Sequence, residues 1–154
     1  MTASDIQTRL TDKTRPVYAI GVAAELIGVS VHTLRLYENE GLIIPRRTKS
    51  QHRLYSRVDI ERLQCIRVMI EDRGFNLAGI KAMMSMAPCW DIKGCDEADR
   101  KNCDAYNSAF EPCWVVKAED TSCYDQNCAD CQVYIEVTTC HNMKSFIKEH
   151  WKTT

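Results

Sequence analysis

The chain has 154 residues, nine cysteines and a formal net charge of −1. That length allows one or two small domains and excludes a large multidomain enzyme. No apolar run is long enough to span a bilayer, and the opening MTASDIQTRLTDKTRPVY lacks a signal peptide's apolar region, so the expected location is cytoplasmic, where reducing conditions favour metal ligation or redox chemistry over a disulfide framework.

Residues 1–16 are polar and read as an arm or linker. VYAI, residues 17–20, is a short strand candidate. VAAELIG then reads as a helix ending at Gly28, a residue suited to a left-handed helix end. Ser30 is placed to cap a second helix, VHTLRLYENEG, ending at Gly41. Two short helices joined by Gly-Val-Ser make a helix-turn-helix candidate. LIIPRRTKSQHRLYS follows, where Pro45 bars a helix and HRLY alternates, which predicts a two-stranded wing. Ser56 and Asp59 form an acidic variant of a capping box before a helix with apolar positions Ile60, Leu63, Ile66, Met69 and Ile70, closing at Gly74. Asn76 can cap a further helix with Leu77, Ile80, Met83 and Met84 on one face, ended by Pro88. Beyond Pro88 helical periodicity disappears, VYIEV suggests one strand, and a last amphipathic helix carries Met143, Phe146, Ile147, His150 and Trp151.

Charge is divided unevenly. Residues 1–86 hold 13 Lys+Arg against 9 Asp+Glu, or +4, while residues 87–154 hold 7 against 12, or −5. Between Leu42 and Arg57 lie five cations (Arg46, Arg47, Lys49, Arg53 and Arg57) and no carboxylate. Such a patch suits a polyanion, of which nucleic acid is the commonest, although charge alone also fits a solvated basic loop. In a helix-turn-helix the early residues of the second helix meet base edges, here Val31, His32, Thr33 and Arg35. Arg35 can bond guanine, and Thr33 a thymine methyl or a phosphate. Tyr37, Arg46, Arg47, Arg53 and Tyr55 suit phosphate contacts, which position a protein without reading sequence. Tyr55 could instead pack the wing on the helices, His32 could be an ordinary surface residue, and Leu34 and Leu36 read as core.

The stretch IGVAAELIGVSVHTLRLYENEGLIIPRRTKSQHRLYSRVDIERLQCI, followed by EDRGFNLAGIKAMM, resembles the winged-helix DNA-binding domain of the MerR family of transcription regulators, in phrasing similar to its heat-shock-repressor branch. The resemblance runs from about Tyr18 to Met86, and it implies DNA-contacting roles for Arg35, Tyr37, Arg53 and Tyr55. Many members continue into a long helix that pairs with its twin. Here Pro88 and the cysteines interrupt that position, so a homodimer, expected from two-fold half-site binding, must use another surface.

Eight of the nine cysteines (Cys89, Cys95, Cys103, Cys113, Cys123, Cys128, Cys131 and Cys140) lie within residues 87–140. Pro-Cys-Trp occurs twice, at Pro88 and Pro112, each copy trailing a lysine (Lys93, Lys117) and an Asn-Cys (Asn102-Cys103, Asn127-Cys128). A duplicated unit follows. The second copy offers Cys113, Cys123, Cys128 and Cys131, the four thiolates that tetrahedral zinc or a [4Fe–4S] cluster needs. The first offers Cys89, Cys95 and Cys103, with Tyr106 where the second has Cys131, and Cys140 as the natural fourth ligand. A 4+4 partition follows unless ligands interleave between copies. Trp90 and Trp114 could equally fill a small core around buried thiols, and Cys65 reads as an ordinary core thiol. The repeats also resemble small "two-CW" modules. One MerR branch senses oxidants through an Fe–S cluster, but its cysteines form a compact run unlike these spacings, so no ligand position carries over.

The expected architecture is mainly α: an arm over 1–16, a winged helix-turn-helix over 17–86, a metal-stabilised cysteine module over 87–140 and a C-terminal helix over 141–154. The expected function is a non-enzymatic regulator acting on double-stranded promoter DNA, with RNA polymerase as partner, and sensing metal or redox state through zinc or an Fe–S cluster. A purely structural zinc staple and a thiol redox or electron-transfer protein are the rival readings. No hydrolase, kinase or nucleotide-binding motif occurs.

Overall fold

The computed structural model describes residues 1–117, 123–137 and 143–150. Cys140 and Trp151 lie outside them. The chain is mainly α, with eleven α-helices and three short strands among the described residues.

The arm holds a helix that polarity alone did not reveal. In α1 (Ala3–Thr11) Thr2 and Asp5 form a reciprocal capping box, and no residue of the helix is buried. Two helices then build the helix-turn-helix. Helix α2 (Ile20–Ile27) ends at Gly28 in the left-handed region, at φ 72°, which a residue without Cβ adopts readily. Helix α3 (Val31–Asn39) starts where the Ser30 hydroxyl accepts the Thr33 N–H at 3.0 Å. The two helices meet at 101°, within the range of this motif.

The wing gains a third strand. β1 (Tyr18–Ala19), β2 (Arg46–Arg47) and β3 (Arg53–Tyr55) form an antiparallel sheet in the order β1-β3-β2, with Tyr18 opposite Tyr55 and Arg47 opposite Arg53. The expected hairpin is therefore β2-β3, and the preceding strand covers its other edge. Helix α4 (Arg57–Glu71) opens with both halves of the Ser56–Asp59 capping box in place, and α5 (Leu77–Ser85) opens with the Asn76 side chain accepting the Gly79 N–H at 2.7 Å.

The duplication is visible in three dimensions. Helices α6 (Cys89–Lys93) and α9 (Cys113–Val116) both begin on the cysteine of a Pro-Cys-Trp. Trp90 meets Tyr106 edge-on, with ring centres 5.1 Å apart, and Trp114 meets Tyr134 in the same way at 5.3 Å. Lys93 and Lys117 converge on Gln126, bonding its side-chain and main-chain oxygens respectively. Between and after these lie α7 (Glu97–Lys101), α8 (Asp104–Asn107), a 3-10 turn (Cys128–Asp130), α10 (Gln132–Glu136) and α11 (Met143–His150).

VYIEV is not a strand. It lies in and just beyond α10, because Val133, Tyr134 and Val137 share one buried helical face, and Gln132 bonds Glu136 one turn on at 2.7 Å. Val133, Val137 and Phe146 join the same apolar core as Leu34, Leu42, Ile66 and Ile80, so one core runs through both halves. Cys65 is buried in it and is disulfide-bonded, not the ordinary core thiol expected. Leu36, expected in the core, is 41% exposed.

Candidate nucleic-acid interface and cysteine cavity

Helix α3 buries Leu34 and Tyr37 and turns His32 and Arg35 outward, with Val31 and Thr33 half-buried at its start. The edge-reading candidates thus share the exposed rim of the helix-turn-helix. Val31 also packs partly against the core.

The phosphate candidates divide into arginines and tyrosines. Arg47 and Arg53, neighbours across the β2-β3 ladder, both pair with Glu38 of α3, Arg47 at 2.6 Å. Glu38 thereby ties the wing to the recognition helix. No sequence signal marked it: the contact forms only when the hairpin folds back onto the helix that precedes it. Arg46 pairs instead with Asp130 of the cysteine half, and Arg57 with Glu61 one turn on at 3.5 Å. The tyrosines do not face solvent. Tyr37 is 5% exposed and Tyr55 fully buried, and the Tyr55 hydroxyl is closed off from any phosphate. Both fill the core, as the packing alternative for Tyr55 had it. Burial, with the Glu38 carboxylate adding to it, pushes the Tyr55 phenol up to about 12, and no described group bonds its hydroxyl.

Seven cysteines (89, 95, 103, 113, 123, 128 and 131) line a single cavity of about 40 Å³, together with Trp90, Trp114, Tyr106 and Tyr134. The sequence set of eight is therefore gathered in one place, save Cys140, which lies outside the described residues. The copies interleave. Cys89 of the first shares a hydrogen bond with Cys113 of the second, which holds the Cys89 thiol below its ordinary range and drives that of Cys113 above it. Cys128 and Cys131 are electrostatic neighbours of Cys113. Burial raises the Cys128 thiol against the opposing pull of Lys117, whose Nζ lies 3.8 Å from its sulfur.

A soft-metal centre fits this wall in donor type, since thiolates suit zinc and iron–sulfur clusters. Aromatic rings share that wall, and the seven cysteines on it are half-buried. Among the described residues no three Cys, His, Asp or Glu side chains stand close enough to share one ion, so ligation requires the thiols to draw together.

The cavity is joined to the helix-turn-helix half through its aromatic wall. The Trp114 indole N–H donates to the Gly41 carbonyl at 2.7 Å. The Tyr134 hydroxyl accepts the Ile44 N–H at 2.8 Å and donates to Asp59 Oδ1 at 3.3 Å. Arg62, fully buried in α4, places its guanidinium 3.9 Å from the centre of the Tyr134 ring and bonds the Tyr134 carbonyl. Among the described residues no acceptor reaches its Nε or Nη1. A helical wheel would have flagged this residue, because Arg62 shares the buried stripe of Asp59, Leu63 and Ile66. Lys81 adds a bridge between Glu40, at 3.7 Å, and Glu111, at 3.3 Å.

No single helix among the described residues is long and apolar enough to cross a membrane. Residues 18–87 match the family model described as "MerR HTH family regulatory protein". The chain is 47% identical over 77 residues to the putative heat shock protein HspR of Streptomyces coelicolor, covering 50% of each chain. It is 36% identical over 74 residues to the HTH-type transcriptional regulator GlnR of Bacillus anthracis, covering 48% of this chain and 57% of that one. With the HTH-type transcriptional activator TipA of Streptomyces coelicolor it shares 38% identity over 68 residues, 44% of this chain and 26% of that one. The chain thus spans about half the length of the first two of these relatives, and less of the third. A capped recognition helix, a 101° helix pair, a winged sheet and these matches agree: residues 18–87 are a MerR-family helix-turn-helix domain.

Proposed function

We propose that the chain is a transcription regulator that binds double-stranded promoter DNA as a homodimer, with RNA polymerase as its partner there, and whose cysteine half holds a thiolate-bound metal centre. The DNA-binding part is carried by the exposed rim of α3, where His32 and Arg35 stand clear of the core beside a wing rich in arginine. Arg35 is suited to guanine O6 and N7, while Arg47 and Arg53, held by Glu38, are suited to flanking phosphates.

The metal-binding part is supported by the gathering of seven thiols on one aromatic-walled cavity. Cys89, Cys128 and Cys131 are electrostatic neighbours of Cys113, drawn from both copies, and with it make one candidate four-thiol set. Zinc there would cross-link helices too short to be stable alone, and an iron–sulfur cluster would add a redox-dependent charge. Trp114 and Tyr134 carry any rearrangement of the thiols to Gly41, Ile44 and Asp59, which is the proposed route from sensing to DNA.

Anaerobic purification with metal analysis and an absorption spectrum tests the centre. Zinc or iron in stoichiometric amount supports it, with a broad visible band marking Fe–S, and a metal-free protein that stays folded refutes it. Duplex binding measured with and without the centre tests sensing. Unchanged binding would leave the cysteine half as a constitutive staple.

A further inference from the structure

We propose that Asp130 acts as an internal stand-in for a DNA phosphate at Arg46, so that the cysteine half, as arranged here, competes with the duplex for a wing cation. The inference rests on the DNA-binding reading above and adds a device that sets its strength. Of the wing arginines, Arg47 and Arg53 pair within the DNA-reading half, with Glu38. Arg46 pairs across to the cysteine half, with the carboxylate of Asp130. A carboxylate presents to a guanidinium the same planar pair of oxygens that a phosphate does, so the two anions are alternatives at this side chain.

What places Asp130 there is the spacing of two thiols. It closes the 3-10 turn Cys128–Asp130, directly before Cys131. The turn is fixed by the Asn127 side chain accepting the Ala129 N–H at 3.1 Å, and by the Cys131 N–H donating to the Cys128 carbonyl at 3.1 Å. Any change of state at Cys128 or Cys131 that reshapes this turn moves the carboxylate relative to Arg46. The pair is open to solvent, with the Asp130 side chain 58% exposed. Exposed pairs are weak, so the contact tempers DNA affinity and does not abolish it.

The test is a mutant cycle read by fluorescence anisotropy on one fixed duplex of roughly 30 base pairs, long enough for sequence-independent backbone contacts, across a salt series. Asp130→Asn should tighten binding by up to about fivefold, the worth of one exposed pair. It should also steepen the slope of log affinity against log salt by about one. In an Arg46→Ala background the same change should have no effect. Asp125→Asn, an exposed neighbour that adds the same charge away from the wing, controls for net charge. A gain no larger than that of Asp125→Asn, or one that persists without Arg46, overturns the competition. Should the wild type and all variants fail to bind the duplex at low salt, the DNA-binding reading falls and this falls with it. Zinc loading or thiol oxidation should alter wild-type affinity more than that of Asp130→Asn, and an equal change in both would show that the thiols do not act through this carboxylate.

Discussion

Tyr134→Phe isolates the bond network that seats the cysteine half on the helix-turn-helix half. The substitution keeps the ring, and with it the contact to Trp114 and the position over Arg62, and removes only the hydroxyl. That hydroxyl accepts from the Ile44 N–H at 2.8 Å and donates to Asp59 Oδ1 at 3.3 Å, in a residue 2% exposed. Burial, set only partly against the pull of the Arg62 cation, raises its phenol well above the ordinary range, so the neutral form makes both bonds. Each bond is worth about 1 kcal/mol net, and stranding Ile44's amide adds to the loss, giving a cost of about 2 kcal/mol. For a chain this long that lowers the melting temperature by roughly 4–8 °C. The assay is thermal and urea unfolding under anaerobic, reducing conditions at matched metal content, because bound metal shifts apparent stability. A loss below about 0.5 kcal/mol, the low end for one net hydrogen bond, would refute the claim that this hydroxyl joins the halves.

Gly41→Ala should destabilise by about 2 kcal/mol or more, since φ is 74° and a Cβ would fall 2.5 Å from Val115 Cγ2, prising α9 from the end of α3; unfolding midpoints check it. Ser56→Ala removes both the cap of α4 and a partner of Asp59, and should cost about 1–2 kcal/mol by urea denaturation. Arg53→Ala should weaken binding to every duplex alike and flatten the salt slope by about one, whereas Arg35→Ala should lose about 1–3 kcal/mol of preference between duplexes; anisotropy with two unrelated sequences separates them. Cys128→Ser should lower the metal content of anaerobically purified protein, and an unchanged content would remove Cys128 from the ligand set.

The helix-turn-helix half was legible because its signals are local. Ser30, Ser56 and Asn76 each cap a helix through an amide three residues on, and Gly28 takes the one backbone conformation that favours it. Which exposed-looking residues point inward was harder to read. Tyr37 and Tyr55 carry polar tips on bulky apolar bodies, and both belong to the buried core. Leu36 went the other way, because α3 presents a narrow buried stripe of Leu34 and Tyr37. The cysteine half resisted reading because its helices run only four or five residues up to α10. A single turn cannot display a 3.6-residue period, so Val133–Val137 read as a short apolar run and hence a strand. The Pro-Cys-Trp repeat did foretell a duplicated unit, but not that each copy would open on a short helix or that Cys89 and Cys113 would meet across the copies. Asp130 and Glu38 owe their roles to contacts across the fold, with Arg46 and with the wing, that no local pattern encodes.

The shared core has a consequence for dissection. A fragment cut at residue 87 would retain all the residues that match the family model. It would also strip Arg62 of its aromatic lid, leave Asp59 without its phenol, and open the floor on which Val133, Val137 and Phe146 rest. The recognisable part of this molecule should therefore be less stable alone than within the whole chain. Grafting the sulfur-bearing segment onto another winged helix would need the socket of Gly41, Ile44, Asp59 and Arg62 carried along with it.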